Sequence, residues 1–499
     1  MAFAQLLIVI LACLCLHSLA QRWGLQPEIL IMVVACAASF IPGMPRIQFS
    51  PAVILGLVIP PLLYSAALHF SPYGFVRNLR PILGLGIGLV AATTLITAGI
   101  ARQLLPGLGL AGALTLGAIL SPPDTAGTVG HGSEFGVPRR AIDILTGESL
   151  INDAAALTFF GLAVTAVVGA NEPVENPALA LVRSIVVGTL VGLAVGIAAG
   201  WARRRLTNPD VASALNLIVP FAAYLVAEEL ESSDVFAVVT AGFTVSTATW
   251  LADRKGRPNA LPAVRLQESQ LWPVVDILLE SFVFAYIGLQ CKSLLLEGPT
   301  SEHSRPAIVG IALALLVVVI LVRILGVFLL HWAAGRGKRA REARRADTDG
   351  SDALLGRKSA LLASWAGMRG VLTLAAAASI PFVTSAGEPF PERDAIQRIA
   401  FIVTIGTIII QGMTMPWLAR ALHFDGSAQK AETEEMLDRV LASSAEAARD
   451  ATDRADAGFF ARQRRAVIDE LRARRITDTV AGQAIHHIDL QQSAQITSR

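Results

Sequence analysis

Long apolar stretches separated by short polar loops run from the N-terminus to about residue 424. A helix needs about 20 mostly apolar residues to cross the hydrocarbon core of a membrane. The stretches that meet this need run roughly over 4–20, 27–43, 51–69, 81–101, 108–130, 141–169, 179–201, 211–228, 234–251, 273–296, 306–333, 357–382 and 395–422. They predict an all-α polytopic membrane protein of about thirteen transmembrane helices over 1–424. From 425 to 499 the pattern changes to Ala, Arg, Glu and Asp with few large apolar residues. Met436, Leu437, Val440 and Leu441 recur there at helical spacing, as do Val467, Ile468 and Leu471, which predicts a helical tail.

The loops give the orientation, because positive charge collects on the cytoplasmic side. With the N-terminus outside, the inside loops carry Arg22, then Arg77 and Arg80, then Arg139 and Arg140. They continue with Arg203 to Arg205, with Arg254, Lys255, Arg257 and Arg265, and with the run from Arg336 to Arg345. Outside loops carry Arg46 and Arg102 and then the acidic Glu172, Glu175, Glu229 and Glu231. The alternation holds along the chain and predicts a multi-pass cell-membrane protein, N-terminus out and C-terminus in.

Composition agrees: 54% of the 499 residues are hydrophobic and only 16% charged, against about 25% charged in soluble domains. Cys13, Cys15, Cys36 and Cys291 lie in or beside apolar stretches and are expected as small packing residues, not as a disulfide or zinc framework. Leu6 to Leu16 resembles a signal-peptide core, but Met1 to Gln5 carries no positive charge, so a first transmembrane helix is expected. The pair His486–His487 is expected to be solvated. Neither a cofactor nor a nucleic-acid partner is expected.

Charges inside hydrocarbon are costly and mark functional positions. Asp124 follows Pro122 and Pro123 in Ser121-Pro122-Pro123-Asp124-Thr125. Two prolines remove two backbone donors, so the helix cannot run unbroken. Broken helices with half-helix ends and free carbonyls form the ion sites of secondary transporters. The simpler alternative is a proline kink with a capping aspartate. The next segment opens with Gly147-Glu148-Ser149-Leu150-Ile151-Asn152-Asp153. Ser149 and Asp153 share one helix face and Glu148 and Asn152 the neighbouring strip. Carboxylate, amide and hydroxyl oxygens suit hard cations such as Na⁺. A polar helix cap would account for Glu148 but not for Asp153, which precedes an uncharged apolar run.

Arg323 lies in the middle of its segment and needs a buried acidic partner. A second interruption falls at Ser364-Trp365-Ala366-Gly367-Met368-Arg369-Gly370. It comes seven segments after the first, as two inverted six-helix repeats joined by a seventh helix would require. Matching discontinuous helices in two halves point to a transporter site, and Arg369 is placed to offset the negative end of a half-helix.

These elements, with Phe284-Ala285-Tyr286-Ile287-Gly288-Leu289-Gln290 and Ile410-Gln411-Gly412-Met413-Thr414, resemble the sodium/proton exchanger branch of the monovalent cation:proton antiporters. The order and spacing match over about 1–424. The resemblance implies thirteen helices in two inverted repeats, with two discontinuous crossing helices, a dimerisation domain, a mobile core domain and a homodimer. It implies that Asp153 binds Na⁺ (or Li⁺ or K⁺) and H⁺ alternately, with Asp124 and Ser149 as further ligands and Asn152 as polar neighbour. It also implies a buried ion pair of Glu148 with Arg323. Two positions depart from the pattern. Many relatives read Thr-Asp-Pro where this chain has Pro123-Asp124-Thr125, and some carry a glutamate where Ser65 follows Tyr64, which leaves cation selectivity open.

The expected function is exchange of a monovalent cation for H⁺ by alternating access, one for one, in pH homeostasis. Desolvation penalises a buried charged carboxylate, so proton and cation compete to neutralise it. An intramembrane aspartyl enzyme would need Asp124 and Asp153 to share a proton, and leaves the second break and the buried arginine without a role. A passive channel would accommodate the breaks but not a single titratable ion site.

Overall fold

A computed structural model of the chain describes residues 2–23, 27–41, 54–70, 72–124, 137, 139–169, 177–206, 208–254, 261–293, 304–342, 357–422, 426–449, 457–473 and 475–497. Among the described residues there is no β-strand, and helix lies within each apolar segment. The helices are α1 (Ala2–Trp23), α2 (Pro27–Ser39) and α3 (Ile59–His69). Next come α4 (Leu79–Leu104), α5 (Gly109–Leu120) and α6 (Arg139–Val168). Then follow α7 (Pro177–Arg203), α8 (Pro209–Glu229), α9 (Asp234–Arg254) and α10 (Leu261–Leu289). The last are α11 (Arg305–Glu342), the halves α12 (Arg357–Trp365) and α13 (Val371–Ala378), and α14 (Arg393–Ala421). Among the described helices α4, α6 to α11 and α14 are each long and apolar enough to cross a membrane.

Apolar side chains point outward as well as inward. Leu190 and Ile197 on α7 and Leu325 and Leu329 on α11 are all more than half exposed. A water-soluble fold hides such rows, whereas lipid accepts them and demands only that backbone polar groups be paired within the chain.

The packing separates two bundles. Helices α1, α2, α3 and α7 to α10 pack on one another, and α4, α5, α6 and α11 to α14 form the second set. Contacts between the sets are far fewer and run mainly through α6 against α9 and α10 against α13. Inside the first bundle α7 lies tightly on α9. A Cβ at Gly188, Gly192 or Gly196 would collide with Ser233, Ala237 or Thr244 respectively. In lipid the hydrophobic effect does not drive helices together, so such close backbone approach supplies the packing energy.

One expectation is corrected. Cys36 and Cys291, expected as unlinked packing residues, are joined as a disulfide, with Cα atoms 5.4 Å apart. Close packing of α2 on α10 brings the two helix ends together, and a sequence separation of 255 residues hid this proximity. Cys13 remains a buried free thiol.

The glycine contact gives a test. Gly192→Val should lower the thermal stability of the detergent-solubilised protein by the equivalent of about 1–3 kcal/mol, the usual cost of overpacking. The same substitution at Gly310, whose Cβ would meet nothing, should leave the melting temperature nearly unchanged.

Candidate functional site

The two interruptions meet. Helix α5 stops at Leu120, and Ser121 to Asp124 continue as non-helical chain. The residues after Asp124, including Thr125 and Gly127, lie outside the described residues, so only the first half of the expected discontinuous helix is seen. Helix α12 stops at Trp365 and α13 restarts at Val371, so Ala366 to Gly370 form the second non-helical crossing. The segments pair antiparallel, with the Asp124 N–H donating to the Met368 carbonyl oxygen at 2.6 Å. Pro122 and Pro123 are buried in this crossing.

Both glycines of the second interruption are there for space. A Cβ on Gly370 would overlap the Asp124 carboxylate, and one on Gly367 would overlap the Arg323 side chain. The Asp124 carboxylate therefore lies against the start of α13, where unpaired N–H groups and the helix dipole favour an anion.

Arginines close the other ends. Arg369, 1% exposed, donates from Nε to the Leu120 carbonyl at the end of α5 at 2.9 Å and from Nη1 to the Gly367 carbonyl at 2.5 Å. Its backbone N–H donates to Thr407 Oγ1 at 3.0 Å. Arg323, 2% exposed, donates to Glu148 Oε1 at 2.5 Å and to Oε2 at 3.4 Å. Its Nη2 also reaches the Ala363 carbonyl near the end of α12 at 3.0 Å. Each interrupted helix thus ends on a guanidinium, which satisfies carbonyls left open by the helix terminus.

Helix α6 passes beside the crossing. Asn152 is fully buried and donates from Nδ2 to the Pro123 carbonyl at 2.9 Å. That bond fixes the amide orientation and leaves Asn152 Oδ1 buried without a hydrogen-bond partner. Asp153 is partly buried and within electrostatic reach of Asp124 and Glu148. Ser149 lies one turn earlier on the face of Asp153, also partly buried. Among the described residues no three His, Cys, Asp or Glu side chains gather as a metal cluster. The ligands available here are two carboxylates, an amide oxygen, a hydroxyl and backbone carbonyls, a hard-oxygen set without a high fixed charge.

Several buried polar residues carried no partner or role in the sequence. Ser65, where a carboxylate is absent from α3, donates to Asp276 Oδ2 on α10 at 2.7 Å, and Asp276 Oδ1 is a buried oxygen without a partner. Arg203 and Asn216 both donate to Glu268 Oε1 at 2.8 Å, and Tyr64 donates to Asn216 Oδ1 at 2.5 Å. Glu268 lies two turns into α10, three residues after Arg265 and among polar Gln267, Ser269 and Gln270, where charge in sequence reads as an ordinary loop boundary. Gln411 is 1% exposed, with neither amide atom hydrogen-bonded, on the π-helical turn Ile408–Gly412. Its signal was a polar residue in the apolar run Ile408-Ile409-Ile410.

The ion pair generates a prediction. Arg323→Ala leaves Glu148 buried and uncompensated, which typically costs about 3–5 kcal/mol. The variant should melt far lower in detergent, and adding Glu148→Gln should recover part of the loss. A double variant whose loss equals the sum of the two single losses would show that the pair is not coupled.

Comparison with known proteins comes to the same place. The sodium/hydrogen exchanger transmembrane family matches residues 7–421. An uncharacterised Na⁺/H⁺ exchanger of Mycobacterium tuberculosis is 32% identical over 406 residues, 81% of this chain and 71% of that protein. A sodium, potassium, lithium and rubidium/H⁺ antiporter of Bacillus subtilis is 30% identical over 399 residues, 79% of this chain and 57% of that one. The structure of the sodium proton antiporter MjNhaP1 of Methanocaldococcus jannaschii superposes with a TM-score of 0.62 at 18% identity. That alignment covers 85% of this chain and 98% of the other, and shows the shared fold. The chain belongs to the sodium/hydrogen exchanger family, a family of membrane transporters that exchange cation for proton and not of enzymes.

Proposed function

We propose that the chain exchanges Na⁺ for H⁺, one for one, at a single site formed by Asp153, Asp124, Ser149 and Asn152. The observation that supports this most is the crossing of two non-helical segments against α6. Irregular backbone at membrane depth occurs where it lines a cavity or is held by protein. Here it brings Asp124 within electrostatic reach of Asp153 and the Pro123 carbonyl onto the Asn152 amide, whose oxygen lacks the hydrogen bond a buried acceptor normally finds. That oxygen could serve as a ligand to a cation. Arg323 with Glu148, and Arg369 with its carbonyls, hold the frame and take no part in the cycle.

In this reading Asp153 carries the exchange. A carboxylate can hold a proton or a cation, and release of one admits the other. The bundle of α4 to α6 and α11 to α14 moves against the bundle of α1 to α3 and α7 to α10, and exposes the site to each side in turn. The sparse contacts between bundles suit such movement. The second bundle would be the transport domain and the first the dimerisation scaffold of a homodimer. Residues 1–424 would be the membrane domain and 425–499 a cytoplasmic tail, with the N-terminus outside and the protein serving pH homeostasis. The Bacillus subtilis relative is named for four alkali cations, and substituting Li⁺, K⁺ and Rb⁺ for Na⁺ in the same assay reads out selectivity here.

Two outcomes test this reading. Asp153→Asn should insert and fold normally, yet show no more cation-driven proton movement in proteoliposomes than liposomes without protein. Appreciable exchange by the folded variant would remove Asp153 from its role. One-for-one stoichiometry follows from Asn152, an amide that cannot carry a proton, and from Glu148, which is held by Arg323. Each net charge moved would feel about 2.3 kcal/mol per 100 mV. A potassium-diffusion potential imposed without a pH gradient should therefore drive no Na⁺ accumulation. Accumulation would mean that a second carboxylate cycles, with Asp124 the first to test.

A further inference from the structure

A pair of buried hydroxyls joins the two bundles. Thr158 lies on α6, five residues past Asp153, or about 7.5 Å farther along the helix. Ser233 stands immediately before α9. Their side-chain oxygens are 2.8 Å apart, and the two residues are 6% and 5% exposed. The neighbouring bonds assign the protons. The Thr158 hydroxyl donates to the Ala154 carbonyl, one turn back on α6, at 2.7 Å. Ser233 Oγ accepts the Phe236 N–H at 3.3 Å and so caps α9. The Ser233 proton therefore goes to Thr158 Oγ1.

Ser233 is tied to its own bundle. Its backbone N–H donates to the Ser184 carbonyl of α7 at 3.1 Å, and a Cβ on Gly188 would strike its carbonyl oxygen. It belongs to the interlock of α7 and α9, whereas Thr158 belongs to the bundle that carries the crossing. Beside the pair the seam is not filled. A cavity of about 90 Å³ lies there, lined by Leu63 of α3, Leu157 and Phe160 of α6, Tyr224 of α8, and Asp234 and Val238 of α9. It has room for water and polar groups to hold it. When the bundles part, water from this space can take over the bonds of both hydroxyls, so the contact is a small barrier. A buried ion pair at the same point would resist far more, because parting would leave each charge uncompensated.

We propose that the hydrogen bond from Ser233 to Thr158 is a latch across the seam, on the outer side of Asp153. Made, it holds the outer passage to the site shut. Broken, it lets the bundles part there and opens the site outward. This rests on the reading that the bundles move against each other, with the N-terminus outside.

The test uses the full chain and two readouts. Spin labels at Leu104→Cys on α4 and Val182→Cys on α7, with Cys15→Ser, report the distance between the bundles on that side without any need for transport. Thr158→Val keeps the shape and removes the acceptor. It should raise the ratio of long to short distances about two- to tenfold, the worth of one hydrogen bond. Thr158→Ser keeps the hydroxyl and should give the distances of the chain with Thr158 intact. The second readout joins the pair covalently. In Thr158→Cys with Ser233→Cys, oxidation should link the two positions and stop Na⁺-driven proton movement in proteoliposomes, and reduction should restore it. Each single-cysteine variant, taken through the same steps, controls for the Cys36–Cys291 disulfide. Failure to link, under oxidation or with a short bis-thiosulfonate, overturns the contact itself. Full exchange by the linked protein overturns the latch, and so do unchanged distances in folded Thr158→Val. If the unmodified chain moves no Na⁺, the transport reading fails, and the label distances still decide whether the pair holds the seam.

Discussion

Everything near the site depends on one constraint: backbone polar groups inside a membrane must find partners within the protein. The two interruptions break that rule locally and repair it jointly. Asp124 N–H pairs with the Met368 carbonyl, so each non-helical segment satisfies part of the other. Arg369 takes the Leu120 carbonyl that α5 leaves open, and Arg323 takes the Ala363 carbonyl near the end of α12. Neither crossing could exist alone. That explains why the chain places two of them, seven segments apart, and why glycine stands where a Cβ would strike Asp124 or Arg323.

The same repair sets the electrostatics. An isolated arginine in hydrocarbon is costly, but Arg323 is shared between a carboxylate and a helix terminus. Arg369 instead donates to backbone carbonyls, those of Leu120 and Gly367. Its charge offsets the dipoles of those carbonyls. A carboxylate already neutralised by a guanidinium would bind a cation weakly. The positive charge of the frame thus lies on Glu148 and on helix ends.

Most of the fold was legible because lipid imposes a length and charge rule on every span. The apolar runs, the double proline and the Gly-Met-Arg-Gly interruption located the helices and their breaks. Glu148 and Asp153 stood out because carboxylates are rare in such surroundings. Pairing between distant parts was legible only through resemblance: nothing in the run around Arg323 names Glu148 as its partner, and nothing around Arg369 names Leu120, 249 residues away. The Cys36–Cys291 contact failed for the same reason, since each cysteine looks like a packing residue in its own segment. Ser65 shows the converse. The sequence registered a missing carboxylate on α3, while the structure brings Asp276 from α10 to the serine hydroxyl.

The two bundles are held together by different physics, and that difference bears on which one can move. In the first, α7 and α9 interlock through Gly188, Gly192 and Gly196, a contact of backbone on backbone that tolerates no sliding. In the second, the interrupted helices are tied by hydrogen bonds and ion pairs converging on one region, so in the proposed cycle the bundle would move as a unit. Between the bundles the packing is mostly apolar and sparse. In lipid, separating such surfaces exposes them to hydrocarbon instead of water, so the usual hydrophobic penalty for opening is small. A membrane protein with a rigid scaffold, a rigid site and a weak seam between them needs little energy to open the seam.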